Sequence, residues 1–315
     1  MRLQTETEKK KPELVVPAGG PEALHTAVFA GADAVYLGGT SFSLRAKAKN
    51  FSREEMREGI RFAHENGVKV YVTVNAFAHE ADLAGIEAYL ELLSELRPDA
   101  LLIADPGVFA LARRITPALP VHISTQAGNL NHETFRFWYD LGVRRVVAAR
   151  ELRLSELKRI REEIPDDMEL ECFVHGAMCM AYSGRCHMSE YLTGRDANRG
   201  TCTQSCRWRY TVVEEKRPGV YIPVEESEEG TEIFAAEDLC MIEHIPALVE
   251  AGIDAFKIEG RTKTATYVWK VTDAYRRAID DFFMEAARYE KQLPMYLTQL
   301  REGASRPFCT GFYFS

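Results

Sequence analysis

Gly31-Ala32-Asp33-Ala34-Val35-Tyr36-Leu37 reads as the end of one helix and the start of one strand. A Gly just past a helix C-terminus takes the left-handed conformation that closes the helix, and a short apolar run behind it has the length of a buried strand. The phrase returns as Gly67-Val68-Lys69-Val70-Tyr71-Val72, Pro98-Asp99-Ala100-Leu101-Leu102-Ile103 and Pro120-Val121-His122-Ile123. It continues as Gly142-Val143-Arg144-Arg145-Val146-Val147 and Gly252-Ile253-Asp254-Ala255-Phe256-Lys257-Ile258. Between the phrases, Met56, Ile60 and Ala63, then Ile86, Leu90 and Leu93, then Phe135, Trp138 and Leu141 keep helical spacing. Ser52 with Glu55 reads as a capping box. Strands are predicted at 13–17, 34–38, 68–74, 100–104, 121–124, 145–149, 169–174 and 254–258. They alternate little, as parallel strands covered on both faces do. Eight strand–helix units predict an α/β chain folded as a (β/α)8, TIM-like barrel. The rival, an open doubly wound sheet for a dinucleotide, is disfavoured because Pro17-Ala18-Gly19-Gly20-Pro21 is no phosphate-binding fingerprint.

Composition narrows the classes further. The chain has 315 residues, 46% of them apolar, and a net charge of −8 from 39 basic and 47 acidic residues. That excludes intrinsic disorder and a strongly basic nucleic-acid coat. No apolar run reaches the ~18 residues of a membrane span, and the polar start MRLQTETEKKK is no signal peptide. A cytoplasmic protein without membrane contact is expected. Seven cysteines, an odd count in a chain of this size, do not make a disulfide scaffold.

The rhythm breaks once, between the seventh strand and Gly252, in a long insert that carries most of the cysteines. Long βα-loops crown the C-terminal mouth of such barrels, where active sites lie. The spacing is Cys179-x6-Cys186-x15-Cys202-x3-Cys206-x33-Cys240. Four thiolates suit zinc or an iron–sulfur cluster, and the spacing does not choose between them. Cys172 and Cys309 read as plain buried or surface thiols.

Other polar groups fall at predicted strand ends: Arg45, Asn75, Asp105, Ser124-Thr125-Gln126, Arg150-Glu151, His175 and Glu259-Gly260-Arg261. Asp105 before Pro106 also fits a helix cap. Arg45, Arg150 and Arg261 either converge on a carboxylate ligand or pair with Glu151 and Glu259 as structural ion pairs. Residues 171–210 hold five Arg and three acidic residues, net +2, whereas residues 211–232 are net −5. Trp208 and Tyr210 stand among those arginines, either as a surface for an RNA loop or as the core of a folded cap.

Glu171-x-Phe173-x-x-Gly176-Ala177-Met178-Cys179, running on to Ser183-Gly184-Arg185-Cys186-x-Met188-Ser189, resembles the signature of the collagenase-like peptidases of unknown catalytic type, peptidase family thirty-two. Pro17-Ala18-Gly19, Phe42-Ser43-Leu44-Arg45-Ala46, Asp105-Pro106-Gly107, Arg195-Asp196-x-Asn198-Arg199-Gly200 and Lys257-Ile258-Glu259-Gly260-Arg261 extend the resemblance along nearly the whole chain. Within the family it is most similar to the prephenate-dependent tRNA uridine hydroxylation proteins. The resemblance implies a 4Fe–4S cluster on Cys179, Cys186, Cys202 and Cys240, with Cys206 and His175 in reserve. It implies tRNA as partner and prephenate, or another small carboxylate, as hydroxyl donor; the candidate catalytic residues are the strand-end groups Arg45, Asp105, Arg150, Glu259 and Arg261. Ser205 and His187 depart from the family pattern, and His187 makes zinc the alternative metal.

The alternative function is a peptidase or peptide-binding barrel with structural zinc; a non-catalytic assembly factor is the third. His64-Glu65, His79-Glu80 and His132-Glu133 lack the second His of a zinc-protease motif, and no Gly-x-Ser-x-Gly elbow occurs. The expected organisation is a disordered tail at 1–11, a barrel at 12–290 with the insert at 175–240, and an extension at 291–315. Relatives continue past a segment like Gly311-Phe312-Tyr313, so truncation before a further small domain is expected, and a homodimer is among the expected assemblies.

Overall fold

The repeated phrase folds as its chemistry predicts: Gly31 sits at φ 93°, where a Cβ would lie 2.7 Å from the Arg276 side chain. The computed structural model describes residues 10–44, 49–179, 181–208, 212–213, 221–222, 226–227, 230–231, 237–304 and 306–315. Strands β1 (Glu13–Pro17), β2 (Ala34–Leu37), β3 (Lys69–Val74), β4 (Ala100–Ile103), β5 (Val121–Ile123), β6 (Arg145–Val147) and β7 (Glu169–Ala177) pair in parallel and in sequence order. In the insert, β8 (Val212–Val213) pairs β9 (Tyr221–Ile222), and β10 (Glu226–Ser227) pairs β11 (Gly230–Thr231). After β12 (Asp238–Cys240), strand β13 (Ala255–Ile258) pairs in parallel with both β7 and β1 and closes the barrel.

Six helices, α1 (Pro21–Phe29), α2 (Arg53–Glu65), α3 (Leu83–Leu96), α4 (Pro106–Ile115), α5 (His132–Asp140) and α6 (Leu154–Glu163), follow the first six strands. The predicted stripe Met56, Ile60 and Ala63 is the buried face of α2, whose capping box at Ser52 and Glu55 is formed. The insert adds α7 (Met188–Thr193); α8 (Ile245–Glu250), α9 (Ala265–Met284) and α10 (Ala286–Arg301) complete the chain. The extension expected from 291 begins inside α10, and its end is built into the fold. β14 (Phe308–Cys309) pairs with β12, and the buried Tyr313 Oη donates to the carbonyl of Phe173 at 2.6 Å. Of the tail expected at 1–11, only Lys10 and Lys11 fall within the described residues. Among the described residues no helix is long and apolar enough to cross a membrane.

β7 runs three residues past the strand predicted at 169–174. Its lower part belongs to the barrel. Its upper part pairs antiparallel with β12, matching Asp238 to Ala177, Leu239 to Gly176 and Cys240 to His175. A bulge between Lys257 and Ile258 lets β13 leave the edge of β7 at that level.

The barrel interior is charged, which the apolar strands did not predict. Arg145 on β6, 3% exposed, holds Glu13 of β1 at 2.5 Å, Glu169 of β7 at 2.7 Å and Glu171 of β7 at 3.5 Å. Glu171 also holds Lys257 of β13 at 2.6 Å. Glu13 further accepts from Lys69 at 2.7 Å and from Tyr71 Oη at 2.6 Å. Burial alone would raise the Glu13 carboxyl, but Arg145, Lys69 and Tyr71 outweigh it and hold it at about 2, below its ordinary 4.5.

A folded pKa below the unfolded one stabilises the protein fully above pH 4.5, and that share is lost as pH falls towards 2. Glu13→Gln is therefore expected to cost roughly 3 kcal/mol at pH 7. In urea titrations run at stepped pH, the gap between wild type and variant should shrink below pH 4.5; a gap that stays constant down to acid pH contradicts this account.

Candidate active site

The insert folds back over the mouth on hydrogen bonds more than on a core of its own. Asn198 Oδ1 accepts from Cys186 N at 3.0 Å, and its Nδ2 donates to Cys186 O at 3.1 Å. Asn198 O takes Phe77 N of the loop after β3 at 3.1 Å. Glu151, just after β6, accepts from both the backbone N–H and the hydroxyl of Ser183. Arg199 pairs with Asp82 at 2.9 Å, and Arg185 Nε donates to Gln126 O at 2.9 Å. Charge-assisted bonds of this kind dock a loop that has few apolar side chains to bury.

Between insert and barrel lies a cavity of about 790 Å³. Cys179, Cys186, Cys202 and Cys206 all line it. Among the described residues its charged lining is Arg150, Arg185, Arg207 and Lys263 against Glu259, four cations to one carboxylate. The Cys206 thiol is raised by burial and then by the neighbouring Cys179 sulfur, with Arg207 opposing. Cys202 Sγ accepts from Gln204 N at 3.3 Å. Among the described residues no three His, Cys, Asp or Glu side chains stand close enough to hold a single metal ion; the four thiols are distributed over the cavity wall. Four soft donors facing one electropositive space are the donor set of a thiolate-bound cluster.

Below the cavity, on the barrel axis, a chamber of about 50 Å³ is lined by Thr73, Asn75, Gln126, Arg150, Lys257 and Arg261, among others. Arg150 borders both spaces. It donates to Ala177 O at 2.9 Å and to Glu259 Oε2 at 3.2 Å, and its guanidinium lies 3.9 Å over the Phe173 ring. Its Nε is buried without a hydrogen-bond partner among the described residues. Arg261, 3% exposed, donates to Ser43 Oγ at 2.5 Å, Thr73 Oγ1 at 3.1 Å and Asn50 Oδ1 at 2.6 Å.

The expected site residues thus separate. Cys179, Cys186 and Cys202 come together at the cavity, with Glu259 and Arg150 beside them. Cys240 does not line this cavity, whereas Cys206 does. Cys240 is buried on β12, its Sγ 4.0 Å from Tyr275 Oη, and it borders a different cavity with Cys309 and Phe308. His175, the other reserve, packs its ring among Tyr267, Tyr275 and Phe308, where burial pushes its pKa down to about 3. Asp105 is a helix cap: its Oδ1 accepts from Gly107 N at 2.7 Å and Val108 N at 3.0 Å, and it lines neither space. Arg150 forms the structural pair with Glu259, whereas Glu151 serves Ser183. Arg45 and Tyr210 lie outside the described residues. Sequence reasoning missed Lys257, although a charged residue inside the run Ala255-Phe256-Lys257-Ile258 was a usable signal. It also passed over Arg185, Arg207 and Lys263 as cavity residues, which only the folding of the insert brings in.

The fold and the site define a TIM-like barrel whose mouth is capped by a thiol-lined, cation-rich insert. The model of peptidase family U32 matches residues 19–315, and the chain belongs to that family. It is 42% identical over 304 residues to tRNA hydroxylation protein P1 of Bacillus subtilis (strain 168), covering 96% of this chain and 71% of that protein. It is 40% identical over 342 residues to tRNA hydroxylation protein P of Escherichia coli (strain K12), covering 96% and 74%. A solved structure of a U32 peptidase superposes with a TM-score of 0.52 at 16% identity, over 82% of this chain and 97% of that one, and shares the fold.

Gly176 fixes where the insert leaves the barrel. At φ 103° it sits so close to the next strand end that a Cβ would lie 2.4 Å from the Glu259 carbonyl oxygen. Gly176→Ala is expected to lose at least about 2 kcal/mol, from the left-handed backbone and the overlap together. Thermal unfolding of the purified variant measures it; an unchanged midpoint contradicts the close approach.

Proposed function

We propose that this chain hydroxylates RNA, converting wobble uridine of tRNA to 5-hydroxyuridine with prephenate as hydroxyl donor, and that Cys179, Cys186, Cys202 and Cys206 hold a 4Fe–4S cluster. The observation that carries the reading is the gathering of these four thiols at one cation-rich cavity over the barrel mouth. The names of the relatives from B. subtilis and E. coli support the substrate class. When bound, such a cluster supplies redox and Lewis-acid chemistry at the cavity wall.

The chain's own residues bind and orient. Arg150 offers a buried Nε–H that lacks an acceptor, and Lys257 and Arg261 border the same chamber. A carboxylate of the donor accepts a charge-assisted hydrogen bond from the Arg150 Nε–H, beside the positive charges of Lys257 and Arg261. The chamber, at about 50 Å³, admits such a group and not a whole ligand, so the rest of the donor extends into the larger cavity. Glu259, kept in place by Arg150 at 3.2 Å, accepts a hydrogen bond from a hydroxyl in that cavity.

Anaerobically purified protein is expected to be brown and to contain iron. Cys206→Ser should lose the iron and the visible absorbance, and Cys240→Ser should keep both; the reverse result would restore Cys240 as a ligand. A colourless protein with one zinc would favour the structural-zinc reading. Mass spectrometry of tRNA from a deletion strain should show loss of 5-hydroxyuridine, restored by the wild-type gene. Arg150→Ala should raise the KM for prephenate about tenfold or more, from the loss of a charged hydrogen-bond partner.

A further inference from the structure

The insert exposes three large aromatic side chains on segments whose neighbouring residues line the cavity. Tyr191 is 88% exposed, Tyr182 55% and Trp208 45%. Each stands next to the cavity wall along the chain. Tyr182 lies between the lining residues Ala181 and Ser183, Tyr191 is one helical turn beyond the lining residue Met188, and Trp208 follows the lining residue Arg207. Exposed aromatics next to the residues that line a cavity mark a recognition surface, since core aromatics would be buried. Their backbone is held: Tyr191 N donates to His187 O at 2.8 Å, Trp208 N to Ser205 O at 3.1 Å, and Ser189 Oγ ties α7 to Arg195 O at 2.7 Å. A backbone already ordered leaves only the ring rotamers to be fixed on binding.

Charge selects the partner. The chain is net −8, yet the cavity lining carries four cations against one carboxylate. A positive site in an acidic protein draws a polyanion to one place rather than coating the surface. Aromatic faces beside such a site match unstacked bases on a phosphate backbone, the mode by which single-stranded loops are read. The cavity, at about 790 Å³, has the size of a small-molecule site and can take a base turned out of its stack.

We propose that Tyr182, Tyr191 and Trp208 form a stacking rim that grips the bases flanking a nucleotide turned into the cavity, the partner being the single-stranded loop of an RNA. This rests on the RNA-hydroxylation reading and adds the surface that holds the substrate. The rim binds bases through their faces and is indifferent to their hydrogen-bonding edges, so it positions the loop without choosing its sequence.

The test is fluorescence anisotropy of the metal-loaded full chain with a labelled RNA stem-loop carrying a uridine-containing loop. Tyr191→Ala and Trp208→Ala should each weaken binding about fivefold to a hundredfold, as loss of one stacked base does. Tyr191→Phe should bind within twofold of wild type, because the ring remains. All three variants should keep their iron and their thermal midpoint. A blunt RNA duplex should bind weakly and equally to all of them. Loop binding unchanged in both alanine variants overturns the rim and leaves hydroxylation standing. Ring-dependent loop binding by a protein that makes no 5-hydroxyuridine supports the rim and removes the proposed reaction. Wild-type protein with no affinity for loop RNA overturns the rim, as does a concentration-dependent self-association that disappears in Tyr191→Ala while RNA binding stays.

Discussion

Arg145 places a guanidinium inside the barrel, 3% exposed, and a buried cation tolerates no missing partner. Its three carboxylates come from two strands, Glu13 from β1 and Glu169 and Glu171 from β7. Glu171 passes the compensation on to Lys257 of β13. The four strands β6, β7, β13 and β1 are the ones that close the ring, so the ion pairs fix their register where closure happens. Shifting any of them by one residue would turn its charged side chain to the outer face and strand its partner. Burying charge cancels much of what pairing returns, so the pairs add less stability than their contacts suggest. What they select is one arrangement of the barrel.

That arrangement sets the site above it. Lys257 sits between the ladder and the axial chamber, touching Glu171 below and lining the chamber with Arg150 and Arg261 above. Arg150 then joins the end of β6 to Glu259 after β13 and to the carbonyl of Ala177 on the extended β7. Gly176, with its backbone against Glu259, lets β7 change partners there, from β13 to β12. The insert is therefore anchored to the barrel at the level where the chamber opens. Loops that must hold thiols in a defined relation need such rigid stems, because their own side chains bury little.

Strand pairing also sorts the cysteines. β12 runs antiparallel to β7 and carries Cys240 into a layer with Tyr275 and His175, where a buried thiol is pushed up to about 11 and a buried imidazole down to about 3. Both groups are neutral there, which suits a packed interior. Cys179, Cys186, Cys202 and Cys206 instead face the cation-rich cavity.

The sequence by itself determined the barrel. Six of the eight barrel strands are announced by a Gly or a Pro and then by a mostly apolar run, and local conformational preference is enough to place them. It also determined that the long segment before Gly252 is a cysteine-bearing insert at the mouth. Asp105-Pro106 was legible both as a cap and as a site residue, and the choice depends on whether the helix amides reach it, which they do. Only the tertiary structure decided that Cys206 and not Cys240 faces the cavity, that His175 is walled in by rings, and that Lys257, Arg185, Arg207 and Lys263 enter the site. The physical reason is the same in each case. Spacing along a chain counts residues, whereas a ligand set depends on which side of a sheet each residue lies, and the side on which Cys240 lies is settled by the extension of β7 beyond the barrel.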